Sequence, residues 1–328
     1  MFVLIVAFIL CFGLALCLAP FIISLAKKVG ARQNILQYVT THFNKQGTPT
    51  MGGLIFLLPT IFIVLVLNNG QSTLTFVALG VMAGFGMLGF LDDFIKVHTH
   101  KNLGLRAYQK IIGQFGIATI VAIFVFIQPL IGGSLNFCDT QFDIGWVIIP
   151  LVIFVLLAMT NSANLTDGLD GLAGWTSLIM LIGLAVILDI ELMSEGQSLD
   201  YVAELKNLEL LCVALSGALL AFLCFNSYPA TVFMGDTGSL ALGGVIATIA
   251  IFCRATLILP ILCLVFVVSA ISVIIQVVHF KRTGKRIFLM APLHHHFEKR
   301  GMNENKIVVI YIVVTIIGAL VSILLFGR

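Results

Sequence analysis

The stretch Asn161-Ser-Ala-Asn-Leu-Thr-Asp-Gly-Leu-Asp-Gly171 lies between two long apolar runs, and its aspartates, Asp167 and Asp170, are each followed by a glycine. Ionisable side chains beside membrane segments are costly to place in lipid, so they usually line a polar cavity and indicate a functional site. Two similar stretches follow other apolar runs, at Leu91-Asp-Asp-Phe94 and Phe233-Met-Gly-Asp-Thr-Gly238. The arrangement of the chain in the membrane decides whether these aspartates can meet.

The composition is that of an integral membrane protein. Of the 328 residues, 60% are hydrophobic and only 10% are charged, and the mean hydropathy is +1.12. Soluble proteins average about 25% charged residues, so a soluble fold is excluded. A chain of this length can hold about ten helices of roughly 20 residues, and it contains no repeat or linker. We therefore predict a single polytopic membrane domain over residues 1–328.

Ten apolar segments follow one another, and we interpret them as membrane helices of an all-α fold, since each span must satisfy its own backbone. They lack the alternation of polar and apolar residues that a barrel strand requires. Several are short for a hydrocarbon layer of about 30 Å, so their ends are approximate. The segments are Phe2 to Ala26, Met51 to Leu67, Thr73 to Leu91, Ile111 to Ile131, Gly145 to Thr160, Leu172 to Leu188, Leu208 to Phe225, Ser239 to Phe252, Ala255 to Val278 and Ile307 to Phe326.

The basic residues sort to one side of this arrangement. Of the 18 lysines and arginines, only Lys206, Arg254 and Arg328 fall on the other side. By the positive-inside rule the basic side is cytoplasmic and both termini lie outside. We expect the active site on the cytoplasmic face, because the same side receives the unusual aspartates and all seven histidines: Asp92, Asp93, Asp167, Asp170, Asp236, His42, His98, His100, His279, His294, His295 and His296.

Asp92 and Asp93 have two interpretations. They could simply end a helix at the headgroup level, although a carboxylate is disfavoured at a helix C-terminus, where the macrodipole is negative. Alternatively, adjacent residues of a helix point about 100° apart, so one carboxylate could face a cavity while the other meets a basic partner such as Lys96. A general base and the residue that orients it could be built in this way.

The other two stretches also have alternatives. Asp167 and Asp170 have the spacing of one helix face, but their glycines favour an irregular turn in which backbone amides can approach a ligand. Such aspartates could also serve only the turn itself. Asp236 precedes an apolar helix for which Thr237 or Ser239 could be the N-cap.

Several carboxylates at a membrane surface suit a hard cation, and magnesium is typically held by one or two carboxylates together with substrate phosphates. Basic loops nearby suit anions. The combination indicates transfer of a phosphoryl group, in which catalysis is mainly positioning and charge neutralisation. A substrate with a lipid tail would explain the location of the site at a bilayer.

Two further stretches could contact substrate. His294, His295 and His296 are neighbours in sequence that rarely point at one ion, so we favour hydrogen bonding to phosphate or substrate over zinc, with a solvated loop as the alternative. The adjoining Ile287 to Met290 could lie in the membrane interface beside basic residues. The stretch Thr48-Pro-Thr-Met-Gly-Gly53 opens the second helix; its free amides could meet a phosphate, or it could be an ordinary helix start.

Five motifs occur in order from residue 49 to residue 298: Pro49-Thr-Met-Gly-Gly53, Leu91-Asp-Asp-Phe94, Asn164-Leu-Thr-Asp-Gly-Leu-Asp-Gly171, Phe233-Met-Gly-Asp-Thr-Gly238 and Pro292-Leu-His-His-His-Phe-Glu298. Together they resemble the bacterial phospho-N-acetylmuramoyl-pentapeptide transferases over nearly the whole chain, with no departure at the motif positions. The first four are shared in looser form by the polyprenyl-phosphate N-acetylhexosamine-1-phosphate transferases. The histidine run indicates the muramoyl-pentapeptide branch.

The resemblance implies a ten-helix enzyme of the bacterial inner membrane that serves cell-wall synthesis. It would move phospho-MurNAc-pentapeptide from UDP-MurNAc-pentapeptide to undecaprenyl phosphate, giving lipid I and UMP with magnesium. It implies that Asp236 is the metal ligand and that Asp92 and Asp93 act on the lipid phosphate. It suggests a homodimer, and no nucleic-acid partner is expected.

The resemblance also implies a set of residues around the nucleotide sugar: Asn164, Asp167, Asp170, Asn226, His294, His295 and His296. Phe233 is placed in sequence to stack on uracil, with apolar packing as an equal alternative. Gln276, near the end of the ninth helix, is a weaker candidate for the edge of the base.

Two mechanisms remain open. In a single displacement, Asp92 assists the lipid phosphate oxygen, which attacks the sugar-linked phosphorus while magnesium on Asp236 stabilises the leaving UMP. A two-step route through a phosphoryl-aspartate uses the same residues.

Two rival functions are also open. One is a sibling transferase that uses UDP-GlcNAc. The other is an ion-coupled transporter, because intramembrane carboxylates also serve ion pathways. The absence of a repeat, and acids at one surface instead of the midplane, argue against transport.

Overall fold

The computed structural model describes residues 1–31, 47–68, 72–99, 104–137 and 140–327, which form twelve α-helices, one 3-10 helix (Gly145–Val147) and one short hairpin. His42, His100 and Arg328, for which the sequence predicts a side of the membrane, lie outside these ranges. In chain order the helices are α1 (Phe2–Lys28), α2 (Leu54–Leu67), α3 (Thr73–Thr99), α4 (Ala107–Ile127), α5 (Ile148–Thr166), α6 (Leu172–Met193), α7 (Leu199–Asn226), α8 (Gly235–Phe252), α9 (Leu259–Leu262), α10 (Leu264–Thr283), α11 (Leu293–Lys299) and α12 (Glu304–Phe326).

Within the described ranges, nine helices are long and apolar enough to cross a membrane: α1, α3 to α8, α10 and α12. The remaining predicted span, Met51 to Leu67, corresponds to α2, which has only 14 residues. At 1.5 Å per residue α2 is about 21 Å long, which is less than the roughly 30 Å of a hydrocarbon layer. The prediction of an all-α integral membrane protein is confirmed. The side on which the termini and the aspartates lie stays a prediction.

Two helices extend well beyond their predicted ends because polar side chains find partners there. α3 was expected to stop at Leu91 but continues to Thr99. The interpretation of Asp92 and Asp93 as the end of a helix is therefore wrong. α7 begins nine residues before the predicted Leu208, because the Ser198 side chain accepts a hydrogen bond from the backbone of the first turn and caps a charged segment that hydropathy alone does not mark as helical.

Other elements were not predicted or differ in form. Two four-residue strands, β1 (Ser134–Phe137) and β2 (Thr140–Asp143), pair in antiparallel fashion between α4 and α5. The predicted segment Ala255 to Val278 is divided into α9 and α10, which meet at Cys263. α11 is a short helix that contains the histidine run. Short polar elements such as these carry little hydropathy signal.

α8 lies at the centre of the bundle, and every residue from Thr237 to Phe252 is buried. α3 and α5 pack directly against it. Glycines permit this close approach: a Cβ added at Gly89 of α3 would lie 2.1 Å from the Asp236 carbonyl oxygen, and one at Gly243 of α8 would lie 2.5 Å from the Met159 carbonyl oxygen. The bundle thereby brings the C-terminal halves of α3 and α5 against the start of α8.

We predict that Gly89→Ala destabilises the bundle, because the added methyl group meets rigid backbone of α8. Overpacking of this kind costs about 1–3 kcal/mol in the free energy of unfolding. Gly80→Ala on the same helix is the matched control, since a Cβ there has no neighbour within 4 Å. Thermal unfolding of the purified protein in detergent should show a lower midpoint for Gly89→Ala only. Equal midpoints for the two variants would contradict the proposed packing.

Candidate active site

The carboxylate of Asp93 joins α3 to the first turn of α8. Its Oδ1 accepts a hydrogen bond from the Asp236 amide at 3.2 Å, and its Oδ2 accepts from the Thr237 amide at 3.0 Å and from the Thr237 hydroxyl at 2.7 Å. The prediction that Thr237 or Ser239 is the N-cap of this helix is wrong. Thr237 donates to Asp93, and the Ser239 hydroxyl donates to the Gly235 carbonyl at 3.0 Å. The cap of α8 comes from another helix.

Asp92 is the member of the pair that meets a basic partner. Lys96, one turn further along α3, places its Nζ 2.5 Å from Asp92 Oδ2, whereas its distance to Asp93 Oδ1 is 3.9 Å. The Leu105 amide donates to Asp92 Oδ1 at 2.8 Å. Asp92 and Asp93 are both buried, and each is matched by donors of a different kind.

Asp236 receives side chains from three other helices. Lys96 of α3 lies 3.2 Å and Lys110 of α4 lies 2.8 Å from its Oδ2, while Asn164 of α5 donates to its Oδ1 at 2.7 Å. Lys110 also donates to the side-chain oxygen Oδ1 of Asn164 at 3.3 Å. Two cations and an amide therefore hold this carboxylate in one orientation.

The three aspartates form a group that could hold a metal ion. Asp92, Asp93 and Asp236 each offer a carboxylate oxygen, and these oxygens all lie within 4.8 Å of one another. Carboxylate oxygens are the ligands that hard cations such as magnesium take. The donor set therefore fits a hard divalent cation.

Asp167 and Asp170 lie in an irregular turn, as the glycines predicted, because α5 ends at Thr166 and α6 begins at Leu172. Gly171 adopts the left-handed conformation with φ +76°. Burial raises the pKa of Asp167 to about 8, with a smaller contribution from the charge of Asp236. Asp167 is consequently protonated for the most part at neutral pH, so that it can donate a hydrogen bond.

Asp170 and Asn226 make contacts that shape the turn. Asp170 Oδ2 accepts from the Ala230 amide at 3.0 Å, and its own amide donates to Glu304 of α12 at 2.8 Å. The Asn226 amide group accepts from the Gly171 amide at 3.2 Å and donates to the Val232 carbonyl at 2.9 Å. These contacts join the turn to the segment that leads into α8.

The three histidines occupy three different environments. His294 is fully buried beneath the Asp167 turn, where a Cβ added at Gly168 would lie 2.3 Å from its Nε2. Burial, followed by the charge of His295, lowers the pKa of His294 well below its usual value, so this ring is neutral. His295 Nδ1 lies 3.0 Å from Glu298, and His296 Nδ1 accepts from the Leu289 amide at 3.1 Å.

The stretch at the start of α2 is bonded to the segment before α8. Gly52 and Gly53 donate their amides to the carbonyls of Phe233 and Met234, each at 2.9 Å, and the Phe233 amide donates to the Pro49 carbonyl at 2.8 Å. The suggestion that these glycine amides are free for a phosphate is therefore wrong. The side chain of Phe233 is half-buried.

Gln276 is bonded to the backbone that follows α10. Its side-chain oxygen accepts from the Ile287 amide at 3.1 Å and the Phe288 amide at 3.0 Å, and its Nε2 donates to the Phe288 carbonyl at 3.1 Å. The structure thus brings together Asp92, Asp93, Asn164 and Asp236. Gln276 lies apart from them on α10, where it is bonded to the loop that follows this helix.

Sequence reasoning missed two members of the site, Lys110 and Thr237. Lys110 was noted only as one of many basic residues on the cytoplasmic side, and Thr237 only as a helix cap. Thr237 directly follows Asp236 in the chain, and this adjacency to an acidic motif was the signal that could have found it. For Lys110 the signal is weaker, because its contact with Asp236 depends on how α4 packs against α5.

Buried carboxylates matched by lysines at the end of membrane helices define a class of protein. Such a site can bind a cation and neutralise phosphate oxygens, which is what phosphoryl transfer at a membrane requires. The class is therefore a multi-pass membrane transferase that acts on phosphorylated substrates.

Comparisons with known proteins identify the family. A family model described as glycosyl transferase family 4 matches residues 75–254, and one described as phospho-N-acetylmuramoyl-pentapeptide-transferase signature 1 matches residues 45–57. Proteins named phospho-N-acetylmuramoyl-pentapeptide-transferase are 42% identical to this chain in Clostridium perfringens strain 13, Clostridium kluyveri strain ATCC 8527 and a Geobacillus strain. The alignments cover 97%, 99% and 98% of this chain and 97%, 99% and 97% of the relatives.

The chain therefore belongs to glycosyl transferase family 4, in its phospho-N-acetylmuramoyl-pentapeptide transferase branch. The resemblance that the five motifs carry is confirmed. Membership of a transferase family also argues against the transporter interpretation.

Proposed function

We propose that this protein transfers phospho-MurNAc-pentapeptide from UDP-MurNAc-pentapeptide to undecaprenyl phosphate, giving lipid I and UMP for peptidoglycan synthesis. The observation that carries the proposal is the meeting of Asp92 and Asp236 with Lys96 and Lys110 at one end of the apolar bundle. A lipid phosphate can reach such a site from the bilayer, and a nucleotide sugar can reach it from water. The names of the relatives state the group that those proteins transfer, phospho-N-acetylmuramoyl-pentapeptide. The UDP donor and the undecaprenyl phosphate acceptor are part of our proposal.

Magnesium is the cation we propose for the acidic group, with Asp236 as its ligand and Asp92 beside it. The three carboxylates supply only oxygen donors, which suits this ion. When bound, magnesium would neutralise the negative charge that develops on the phosphates during transfer.

Asp92 is the proposed base for the acceptor. Its carboxylate is buried and close to Lys96, so it can accept the proton of the lipid phosphate while Lys96 attracts the phosphate oxygens. The lipid phosphate oxygen then bonds to the sugar-linked phosphorus, and the bond from that phosphorus to the UMP oxygen breaks.

A route through a phosphoryl-aspartate would use the same residues in two steps. Isolation of a covalent sugar-phosphate adduct of the protein in a single turnover would support that route over direct displacement.

We propose that the nucleotide sugar lies against the turn that follows α5. Asn164 and the protonated Asp167 offer hydrogen bonds. His294 and His295 lie against Gly168 of the turn, and His296 follows them on α11. Asp170 and Asn226 keep the turn in place, and Phe233 has the part-exposed ring that stacking on uracil needs. Gln276 is the weakest member of this set, because its amide is already bonded to the loop at Ile287 and Phe288.

The location proposed for the enzyme is the bacterial cytoplasmic membrane, with the active site facing the cytoplasm and both termini outside. We propose that residues 1–328 act as one membrane domain and that the protein forms a homodimer. The activity would contribute to cell shape and cell division through cell-wall synthesis.

Release of UMP from UDP-MurNAc-pentapeptide in the presence of undecaprenyl phosphate tests the proposal. We expect release that stops when magnesium is removed and that is much slower with UDP-GlcNAc. A preference for UDP-GlcNAc would indicate a sibling transferase instead. Uptake of an ion into proteoliposomes without UMP release would indicate a transporter.

We predict that Asp236→Asn lowers the rate of UMP release by roughly 100-fold or more, because the variant loses the charge that would hold the cation. Asp189→Asn is the matched control, since Asp189 is exposed near the other end of α6. The control should keep the wild-type rate and the same magnesium requirement. An unchanged rate in Asp236→Asn would show that the ligand assignment is wrong.

A further inference from the structure

Asp93 differs from its neighbour Asp92 in what its oxygens contact. Both of its oxygens accept hydrogen bonds from the first turn of α8, at 2.7 to 3.2 Å, and the side chain is 96% buried. The amides of Asp236 and Thr237 are donors that the start of a helix leaves without intrahelical partners. Asp92 instead contacts a lysine and a loop amide. The two adjacent carboxylates therefore have separate tasks.

The backbone before α8 is built closely around Asp93. Gly235 has φ +75°, and a Cβ at this position would lie 2.5 Å from Asp93 Oδ2. No side chain of α8 or of the residue before it caps this helix. Since Asp236 is the second residue of α8, any rotation of the first turn also moves the Asp236 carboxylate.

We propose that Asp93 is a positioning residue, which holds the first turn of α8 so that Asp236 points toward Asp92, Lys96 and Lys110. It does not itself act on the lipid phosphate. This inference rests on the proposed function for its kinetic consequences, but the contact that it describes is independent of the substrate. A negative charge at a helix N-terminus is also favourable because of the macrodipole.

Three variants test this role. Asp93→Asn keeps the size of the side chain and removes its charge. Thr237→Val removes one donor to Asp93, whereas Thr248→Val removes a hydroxyl that donates to the Gly244 carbonyl within α8 and is the matched control. We expect Asp93→Asn and Thr237→Val to lower kcat by roughly tenfold and to raise the magnesium concentration for half-maximal rate, with KM for undecaprenyl phosphate within about twofold of wild type. Thr248→Val should behave as wild type.

Hydrogen exchange in the metal-free protein provides a readout that needs no activity. The Asp236 and Thr237 amides should exchange at least about tenfold faster in Asp93→Asn and Thr237→Val, while the interior of α8 stays unchanged. Unchanged exchange at both amides would overturn the proposal. A large rise in KM for undecaprenyl phosphate in Asp93→Asn, together with wild-type kinetics in Thr237→Val, would also overturn the proposal. Absence of UMP release in the wild type would refute the proposed function and leave the exchange result to decide the contact.

A different observation concerns the end of α10, where most side chains beyond Ser272 are exposed. The apolar ones among them include Ile274, Ile275, Val277, Val278 and Phe280. Four exposed cations follow within six residues, namely Lys281, Arg282, Lys285 and Arg286. Residues 273–290 contain no aspartate or glutamate.

This exposed segment, residues 273–290, is held in place by hydrogen bonds at its two ends. Gln276 holds the backbone of Ile287 and Phe288, and the Leu289 amide donates to His296 of α11. The side chains of Ile287 and Leu289 remain 47% and 52% exposed beside the four cations. Apolar and basic side chains therefore share one fixed surface.

The geometry points to a binding surface for anionic phospholipid headgroups on this segment. The apolar side chains can contact acyl chains at the membrane interface while the cations contact phosphate groups. Each basic residue near an anionic membrane surface contributes about 1 kcal/mol, which is roughly a fivefold change in binding per charge. Lipid phosphate is the ligand because no acidic residue of the segment competes for these cations.

Photoactivatable phosphatidylglycerol and phosphatidylcholine, reconstituted separately with the full chain, test this surface. Peptide mapping should show at least about tenfold more labelling of residues 279–290 by the anionic lipid. Lys281→Gln/Arg282→Gln should remove most of that preference. Lys27→Gln/Lys28→Gln, which removes two exposed cations at the end of α1, should leave it unchanged. Equal labelling by the two lipids, or the same loss in the α1 variant, would overturn the inference.

Discussion

Each carboxylate that the bundle buries needs an ion pair or hydrogen bonds, and the geometry of the site depends on this requirement. Asp92, Asp93 and Asp236 lie within 4.8 Å of one another at the end of an apolar structure, where unpaired carboxylates would be very costly. Each is matched differently: Asp92 by Lys96, Asp93 by the first turn of α8, and Asp236 by Lys96, Lys110 and Asn164. Because these donors come from four helices, the packing of the bundle and the geometry of the site depend on each other.

At the opposite end of the molecule, buried carboxylates also accept hydrogen bonds from neighbouring elements, and there they stabilise the fold. Glu204 of α7 accepts hydrogen bonds from the Thr73 and Leu74 amides at 2.9 Å each, and from the Ser72 hydroxyl, so it caps α3 from another helix. Glu191 accepts from Asn136 of the hairpin at 3.1 Å. The two ends differ in the cations that meet the carboxylates. Arg254 Nη1 lies 3.8 Å from Glu191 Oε1, whereas at the aspartate end lysine ammonium groups lie 2.5 to 3.2 Å from oxygens of Asp92 and Asp236.

Much of this could be predicted from sequence, because hydropathy and motif spacing are local properties. The apolar segments located the nine helices in the described ranges that are long enough to span a membrane. Sorting by basic residues predicted one side for Asp92, Asp167 and Asp236, and that side stays a prediction. The glycines after Asp167 and Asp170 correctly indicated a turn. The partners across helices could not be predicted, since the contact of Lys110 with Asp236 and the cap of α8 by Asp93 exist only after packing. The extension of α3 past Asp92 has the same cause.

The central claim is that aspartates on separate helices hold one cation between two phosphorylated substrates. Anomalous diffraction from crystals grown with manganese, which substitutes for magnesium, tests it most directly. The account predicts one strong peak within coordination distance of an Asp236 oxygen and next to Asp92, at about 2.0 to 2.2 Å from its nearest ligand. A peak at the histidines of α11, with none near Asp236, would contradict it.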